Sequence, residues 1–365
     1  MDALEKSCLS ASDLNMLLGE PAVRERTPLS ASIELTHRCN LRCVHCCHAP
    51  GEIPFESAGL EMPTSFWLEQ IDTLADRGCL NLLMTGGEPL LRPDFGKIYT
   101  HAKSKGLIVT VFTNGTLISE EHLDLFEEYP PRAVEITLYG ATTGTCEAVT
   151  GSAEAYEATL RGIERLESRG IRIRLKTLLL TLNIHEFDDM RAMAGRLNVP
   201  FRVDAGIFPT LSGDASPTRY RVDPASAVAT ELALPYAREN MTDYFDRCHG
   251  RKSSSRLFEC SAGKVSLSID PRGYLKPCLL SQETSFNLAE NDFDLAWEKI
   301  GRILTGKTRE CDSDCYDCEL KSLCGICPPF ALLDGGTEQS RSDYRCALGK
   351  HRHMAITNQS PESYL

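Results

Sequence analysis

Between residues 30 and 208, short apolar or β-branched runs alternate with stretches whose apolar residues recur every three to four positions. This is the pattern of repeated βα units around a parallel sheet. Residues 31–35, 80–84, 107–112, 133–138, 171–180 and 201–203 predict strands. Residues 64–77, 93–105, 119–128, 153–168 and 184–196 predict helices between them, several opening on Ser, Thr or Pro. Six strands of this kind make three-quarters of a (β/α)8 barrel, so the expected fold class is α/β, a partial (β/α)6 TIM-like barrel. The polar segment 211–221, with its Ser-Gly-Asp and Ser-Pro turns, breaks the alternation and is the expected seam. One helix is predicted near 225–240. From Cys260 onward the predicted elements are short, apart from a hairpin, KVSLSIDPRGYLKPC, that turns at Asp270-Pro271-Arg272-Gly273. The expected organisation is an N-terminal extension (1–29), a barrel (30–210), a linker with a bridging helix (211–255), a small cysteine-rich domain (256–350) and a polar tail (351–365).

Composition narrows the function. Lys and Arg number 39 against 51 Asp and Glu, a formal net charge of −12, which lacks the positive field that non-specific nucleic-acid binding or an anionic membrane surface requires. The start, MDALEKSCLSASDLNMLLGE, has no basic region followed by an apolar one, and no stretch approaches a membrane span. The expectation is a cytoplasmic protein with neither partner. Its 16 cysteines, in a compartment that keeps thiols reduced, then point to metal or redox chemistry rather than disulfides. They are clustered as ligands are: three lie within 39–46 and five within 311–327.

In ELTHRCNLRCVHCCHAP, Cys39, Cys43 and Cys46 form a Cys-x3-Cys-x2-Cys loop directly after the first strand, at the end of a barrel where active sites lie. Three thiolates on one tight loop can hold three corners of a [4Fe-4S] cluster and leave the fourth iron open. Structural zinc normally takes four protein ligands, in paired knuckles that this spacing lacks.

With this loop the sequence resembles the radical S-adenosylmethionine (radical SAM) superfamily, whose signature is Cys-x3-Cys-x-aromatic-Cys. The segment Thr85-Gly86-Gly87-Glu88-Pro89, after the second strand, is similar to the family's GGEP motif. The resemblance implies that this backbone and carboxylate contact the amino group of the cofactor's methionine part. It also implies that His45 lies beside the adenine, and that Thr113-Asn114-Gly115 and Thr137 line the cofactor pocket. A charge for the cofactor carboxylate, which related sequences often place near Thr150, is left to Lys176 or a backbone donor. The implied reaction is reductive cleavage of S-adenosylmethionine, with Cys39, Cys43 and Cys46 as the catalytic cluster ligands.

The carboxyl-terminal cysteines carry a second resemblance, to the SPASM extension of radical SAM enzymes that modify peptides and proteins. Cys260, Gly273-x4-Cys278, Cys315-x2-Cys318-x5-Cys324-x2-Cys327 and Cys346 follow the family pattern with one internal spacing a residue short. The resemblance implies one auxiliary [4Fe-4S] cluster on Cys315, Cys318, Cys324 and Cys346. A second falls to Cys260, Cys278 and Cys327, with Cys248 the best candidate for its fourth ligand. A zinc ribbon is the competing reading of the Cys-x2-Cys pairs. Of the other cysteines, Cys79 and Cys146 are expected to be buried thiols, and Cys8, Cys47 and Cys311 to be bystanders. Leu279 stands where the sulfatase-maturing branch has an aspartate base, which argues against formylglycine formation. Asp204 and Asp270 are alternative acids, and His37, His48 and His185 remain ambiguous.

The expected activity is hydrogen abstraction from a peptide, a ribosomally made precursor, to install a crosslink, a thioether, an epimer or an oxidised side chain. The expected cofactors are three [4Fe-4S] clusters and S-adenosylmethionine. Expected partners are an electron donor such as flavodoxin or ferredoxin and a separate peptide-recognition protein. The alternatives are a dehydrogenase or decarboxylase of a small metabolite, such as a sugar or a tetrapyrrole side chain, and a non-catalytic iron-sulfur electron carrier.

Overall fold

The computed structural model describes residues 19–48, 61–248, 255–311, 313 and 315–357. Strands β1 (Ser30–Glu34), β2 (Asn81–Thr85), β3 (Ile108–Thr113), β4 (Ala133–Thr137), β5 (Ile173–Leu178) and β6 (Phe201–Asp204) pair in parallel, each with the next. The expected partial barrel is therefore present. Helices α1 (Thr64–Asp76), α2 (Phe95–Ser104), α3 (Glu120–Glu128), α4 (Thr143–Thr150), α5 (Ala155–Ser168) and α6 (Phe187–Arg196) make the connections. Their amphipathic faces explain the arrangement. In α1, Phe66, Trp67, Ile71 and Leu74 turn inward, and each such fully buried side chain contributes about 2 kcal/mol.

Helix α4 was not predicted, because TGTCEAVT is short, Thr-rich and carries no apolar stripe. It forms because Glu186, 41 to 45 residues away in sequence, accepts from Ala141 N (2.6 Å), Thr142 N (3.2 Å), Thr142 Oγ1 (2.6 Å) and Thr145 Oγ1 (2.7 Å). A carboxylate at that end satisfies donors that have no partner within the helix and sits well with the helix dipole. The single helix expected near 225–240 is in fact two, α7 (Pro224–Leu232) and α8 (Ala237–Cys248). Pro235 cannot donate to the helix ladder, and Tyr236 beyond it takes a positive φ of 62°.

The hairpin forms as expected. Strand β7 (Ser266–Ile269) pairs antiparallel with β8 (Tyr274–Lys276), and Gly273 N donates to Asp270 O at 2.9 Å. It is not isolated, however: β7 also pairs in parallel with β1, Ala31 opposite Leu267 and Ile33 opposite Ile269. With β9 (Phe286–Asn287), one nine-stranded sheet runs β6-β5-β4-β3-β2-β1-β7-β8-β9. The expectation of only short elements beyond Cys260 is corrected by α9 (Phe293–Gly306). Its Phe293, Ala296, Trp297, Ile300 and Leu304 enter the same apolar core as Trp67, Leu82 and Met84. The chain then folds into α10 (Lys321–Cys324), α11 (Pro328–Gly335) and α12 (Asp343–Thr357), which continues through position 351. Among the described residues no helix is long and apolar enough to cross a membrane.

Candidate active site

The loop that carries the first three cysteines is held from two sides. Arg42 N donates to Thr150 O (2.8 Å) and Val44 N to Val149 O (2.9 Å), so carbonyls at the end of α4 set the loop's path. Thr150 is wholly buried and its Oγ1 donates to Cys146 O at 2.7 Å, a structural rather than charged role. Leu41, Cys43, Cys146 and Ala155 form a small apolar cluster against which Cys39, Cys46 and Tyr139 pack. The three thiols act electrostatically on one another. Burial pushes Cys39 up to about 11 and also shifts Cys43 well above the ordinary thiol range. Cys46 is shifted downward, by a hydrogen bond from the neighbouring Cys47 thiol, which is itself shifted upward. Three converging thiols on one loop are a donor set that fits a thiolate-ligated iron-sulfur cluster.

The two motifs after β2 and β3 work together on this loop. Gly86 has a φ of +141°, and a Cβ there would lie 2.2 Å from Thr36 O; at Gly87 a Cβ would lie 2.4 Å from Arg38 O. Only glycines allow that approach, which lets Gly87 N donate to Thr36 O (2.7 Å) and Glu88 N to Arg38 O (2.9 Å). Pro89 opens a short 3-10 turn behind them. The fully buried Glu88 carboxylate accepts from Leu90 N (3.1 Å), Thr113 Oγ1 (2.8 Å) and Asn114 N (2.7 Å). Burial pushes its pKa up to about 7, although these hydrogen bonds favour the ionised form. Asn114 in turn reaches the first loop: its Nδ2 donates to Asn40 Oδ1 at 2.9 Å and points at Cys39 Sγ at 3.9 Å. Thr137 closes β4 at the same end of the barrel.

His45 lies with its ring 5.8 Å from Tyr139, and its buried Nδ1 has no protein partner; burial lowers its pKa to about 4. A flat, neutral ring with an unmet nitrogen suits a stacking ligand. Sequence reasoning missed Tyr139 and Glu34. The alternation of SASIE puts Glu34 on the same strand face as Ser30 and Ser32, a signal that was available. Glu34 accepts from His48 Nε2 at 3.0 Å, and His37 Nε2 stands 4.0 Å away. Burial opposes its ionisation, but the two histidines outweigh it and hold its pKa at about 2. Lys176 is engaged elsewhere: Nζ lies 3.2 Å from Glu135 Oε1 and 3.2 Å above the Phe112 ring. His185 is exposed beside Glu186 at 3.7 Å. Asp204 accepts from Gly206 N (2.7 Å), and Asp270 serves its turn, accepting from Arg272 N (2.9 Å) and Tyr274 N (3.1 Å).

The distant cysteines also gather. Cys278 and Cys327 lie in mutual electrostatic contact with Cys260, and Cys324 with Cys315, Cys318 and Cys346. Burial pushes Cys324 and Cys327 both up to about 11. Cys248 ends α8, whose Phe245 packs with Leu320 and Leu323 beside Cys318, so its helix lies by the set of Cys315, Cys318, Cys324 and Cys346 and not by the expected set of Cys260, Cys278 and Cys327. Cys79 and Cys146 are buried as expected, Cys311 is exposed, and Cys8 lies outside the described residues.

Residues 33–194 match the Radical SAM superfamily. The PqqA peptide cyclase of Bradyrhizobium diazoefficiens is 24% identical over 91% of this chain and 89% of its own length. The AdoMet-dependent heme synthase of Nitratidesulfovibrio vulgaris is 26% identical over 80% of this chain and 85% of its own. Among solved structures, Streptococcus suis SuiB bound to the precursor peptide SuiA superimposes with a TM-score of 0.67 at 17% identity, over 95% of this chain and 83% of that one.

Proposed function

The chain carries a radical SAM domain, and from that premise we propose that it modifies a peptide substrate, a ribosomally made precursor. The observation that carries this reading is the near end-to-end similarity to a peptide cyclase, which spans both the barrel and the region that gathers the distant cysteines. When bound, the [4Fe-4S] cluster and S-adenosylmethionine supply reductive cleavage of the sulfonium bond and the 5′-deoxyadenosyl radical that takes a hydrogen from the substrate.

In this reading Cys39, Cys43 and Cys46 hold the cluster, and Asn114 steadies the loop beside Cys39. The backbone of Gly86, Gly87, Glu88 and Pro89 binds the methionine part of the cofactor, His45 stacks on its adenine, and Thr137 lines the pocket. Glu88 has a second role, since its carboxylate ties the β3 loop to the β2 loop. Cys315, Cys318, Cys324 and Cys346 hold one auxiliary cluster, and Cys260, Cys278 and Cys327 supply three ligands of the other. The grouping of the thiols supports the two sets. Leu279 cannot accept a proton, which argues against formylglycine as the product. A flavodoxin or ferredoxin supplies the electron, and a separate protein presents the peptide.

Anaerobic reconstitution tests this. With dithionite, S-adenosylmethionine should give 5′-deoxyadenosine and methionine, replacement of all three of Cys39, Cys43 and Cys46 by Ala should abolish it, and iron should approach about twelve per chain. Incubation with a short precursor peptide encoded beside the gene should change that peptide's mass. The similarity to a heme synthase supports a second reading, and turnover that requires a tetrapyrrole in place of the peptide would select it.

A further inference from the structure

Arg345 sits where two elements of the cysteine-rich region meet the end of the barrel. Its Cζ lies 4.2 Å from the centre of the Phe330 ring, in α11, the helix that Cys327 caps. A Cβ at Gly325, which follows Cys324, would lie 3.5 Å from Nη1, and one at Gly206, just beyond β6, 2.4 Å from Nη2. The guanidinium is thus wedged between the loop of Cys324, the start of α11 and the segment after β6. Asp204, whose Oδ1 lies by the same Gly206 position, acts on it from beyond ion-pair distance. The Arg345 Nε is buried without a hydrogen-bond partner, and among the described residues the guanidinium forms no ion pair. The contrast with Arg352, one helical repeat further along α12, is direct: Arg352 is satisfied by the Glu231 carboxylate at 2.6 and 2.8 Å and by Leu323 O at 2.7 Å. The charge of Arg345 acts on Asp204, Cys324 and Cys327, one thiol from each distant set.

A buried cation held by no direct ion pair is costly to the fold unless further negative charge completes its surroundings. Two thiolate-ligated iron-sulfur clusters supply negative charge, and a fixed cation between them favours the more negative, reduced form of each. We propose that Arg345 is a positioning residue for electron transfer, a fixed cation between the two auxiliary clusters that raises the reduction potential of both. Each reduction adds one electron to an oxidised cluster, with no bond made or broken; dithionite supplies it in a titration and the substrate radical in turnover. The inference rests on the two-cluster reading above.

The test is a potentiometric titration of the reconstituted full-length protein, followed by electron paramagnetic resonance, for the native chain, Arg345→Gln and Arg345→Lys. In Arg345→Gln both auxiliary midpoints should move to more negative potential, while the cluster on Cys39, Cys43 and Cys46 keeps its midpoint and S-adenosylmethionine cleavage without peptide keeps its rate. Arg345→Lys, which keeps the charge, should lie near the native protein. Unmoved auxiliary midpoints in a fully loaded Arg345→Gln overturn the inference. An equal shift of all three clusters, or loss of iron from both variants, also overturns it, since either marks a merely structural role. About four irons in the native protein would instead remove the two-cluster reading itself.

Discussion

The Glu88 carboxylate accepts three hydrogen bonds, from two backbone N–H groups and one hydroxyl, with none of its surface exposed. Replacing it by Gln turns one oxygen into a donor that must face another donor, and a buried unsatisfied pair of that kind costs about 2 kcal/mol. The cost depends on pH. The folded-state pKa of about 7 lies above the ordinary 4.5, so what the protonated group contributes is fully present below pH 4.5 and lost as pH rises through 7. In the apoprotein, the urea midpoint of the native chain should therefore fall relative to Glu88→Gln across that window, by up to roughly 3 kcal/mol in stability. Lys176 has the opposite dependence. Burial, only partly offset by Glu135, lowers its pKa from 10.5 to about 8. The folded state releases its proton first, so the stability of the native chain relative to Lys176→Met should rise between pH 8 and 10.5, on the order of 3 kcal/mol at most. A flat difference in denaturation midpoints over either window would contradict these assignments. Neither environment was visible in the sequence: GGEP marked Glu88 as a cofactor contact and gave no sign that its oxygens also bind the β3 loop.

Among the elements, α5 positions the turn after β3 through one close approach. A Cβ on Gly162 would lie 2.0 Å from Gly115 O, and Thr159 one turn earlier donates to Asn114 O at 3.0 Å. Gly162→Ala would improve helix propensity in isolation, yet here it must push α5 off the loop that carries Asn114. The expected result is a net loss of about 1–3 kcal/mol in denaturant unfolding and a weaker hold on iron at the first site, read as faster release to a chelator. The strands and the helices with a clear apolar period were legible within a few residues, because burial of one face fixes both period and register. Helix α4 was not, since the Glu186 carboxylate that starts it lies beyond a further helix and a strand. The break between α7 and α8 was marked by Pro235, a signal that the apolar spacing on either side obscured.

At the scale of the whole molecule, the pairing of β7 with β1 changes what the carboxyl-terminal region is for. A chain cut after residue 210 loses the strand that covers β1 and the apolar side chains of Leu267, Ile269, Phe293 and Trp297 from the shared core. An exposed strand edge beside an opened core is an aggregation template, so this truncated protein should be insoluble, and a soluble monomer by sedimentation would contradict the shared core. The sequence by itself determined the βα alternation, the cysteine triplet with its GGEP-like companion and the two distant cysteine sets, because each is written in local spacing that chain stereochemistry reads directly. Only the tertiary structure decided that the hairpin extends the barrel sheet, that Glu88 and Asn114 link three loops, that Glu34 faces His37 and His48, and that Arg345 lies between two thiol groups. Those are contacts between residues tens to hundreds of positions apart, and their energies exist only once the core has brought the strands into register.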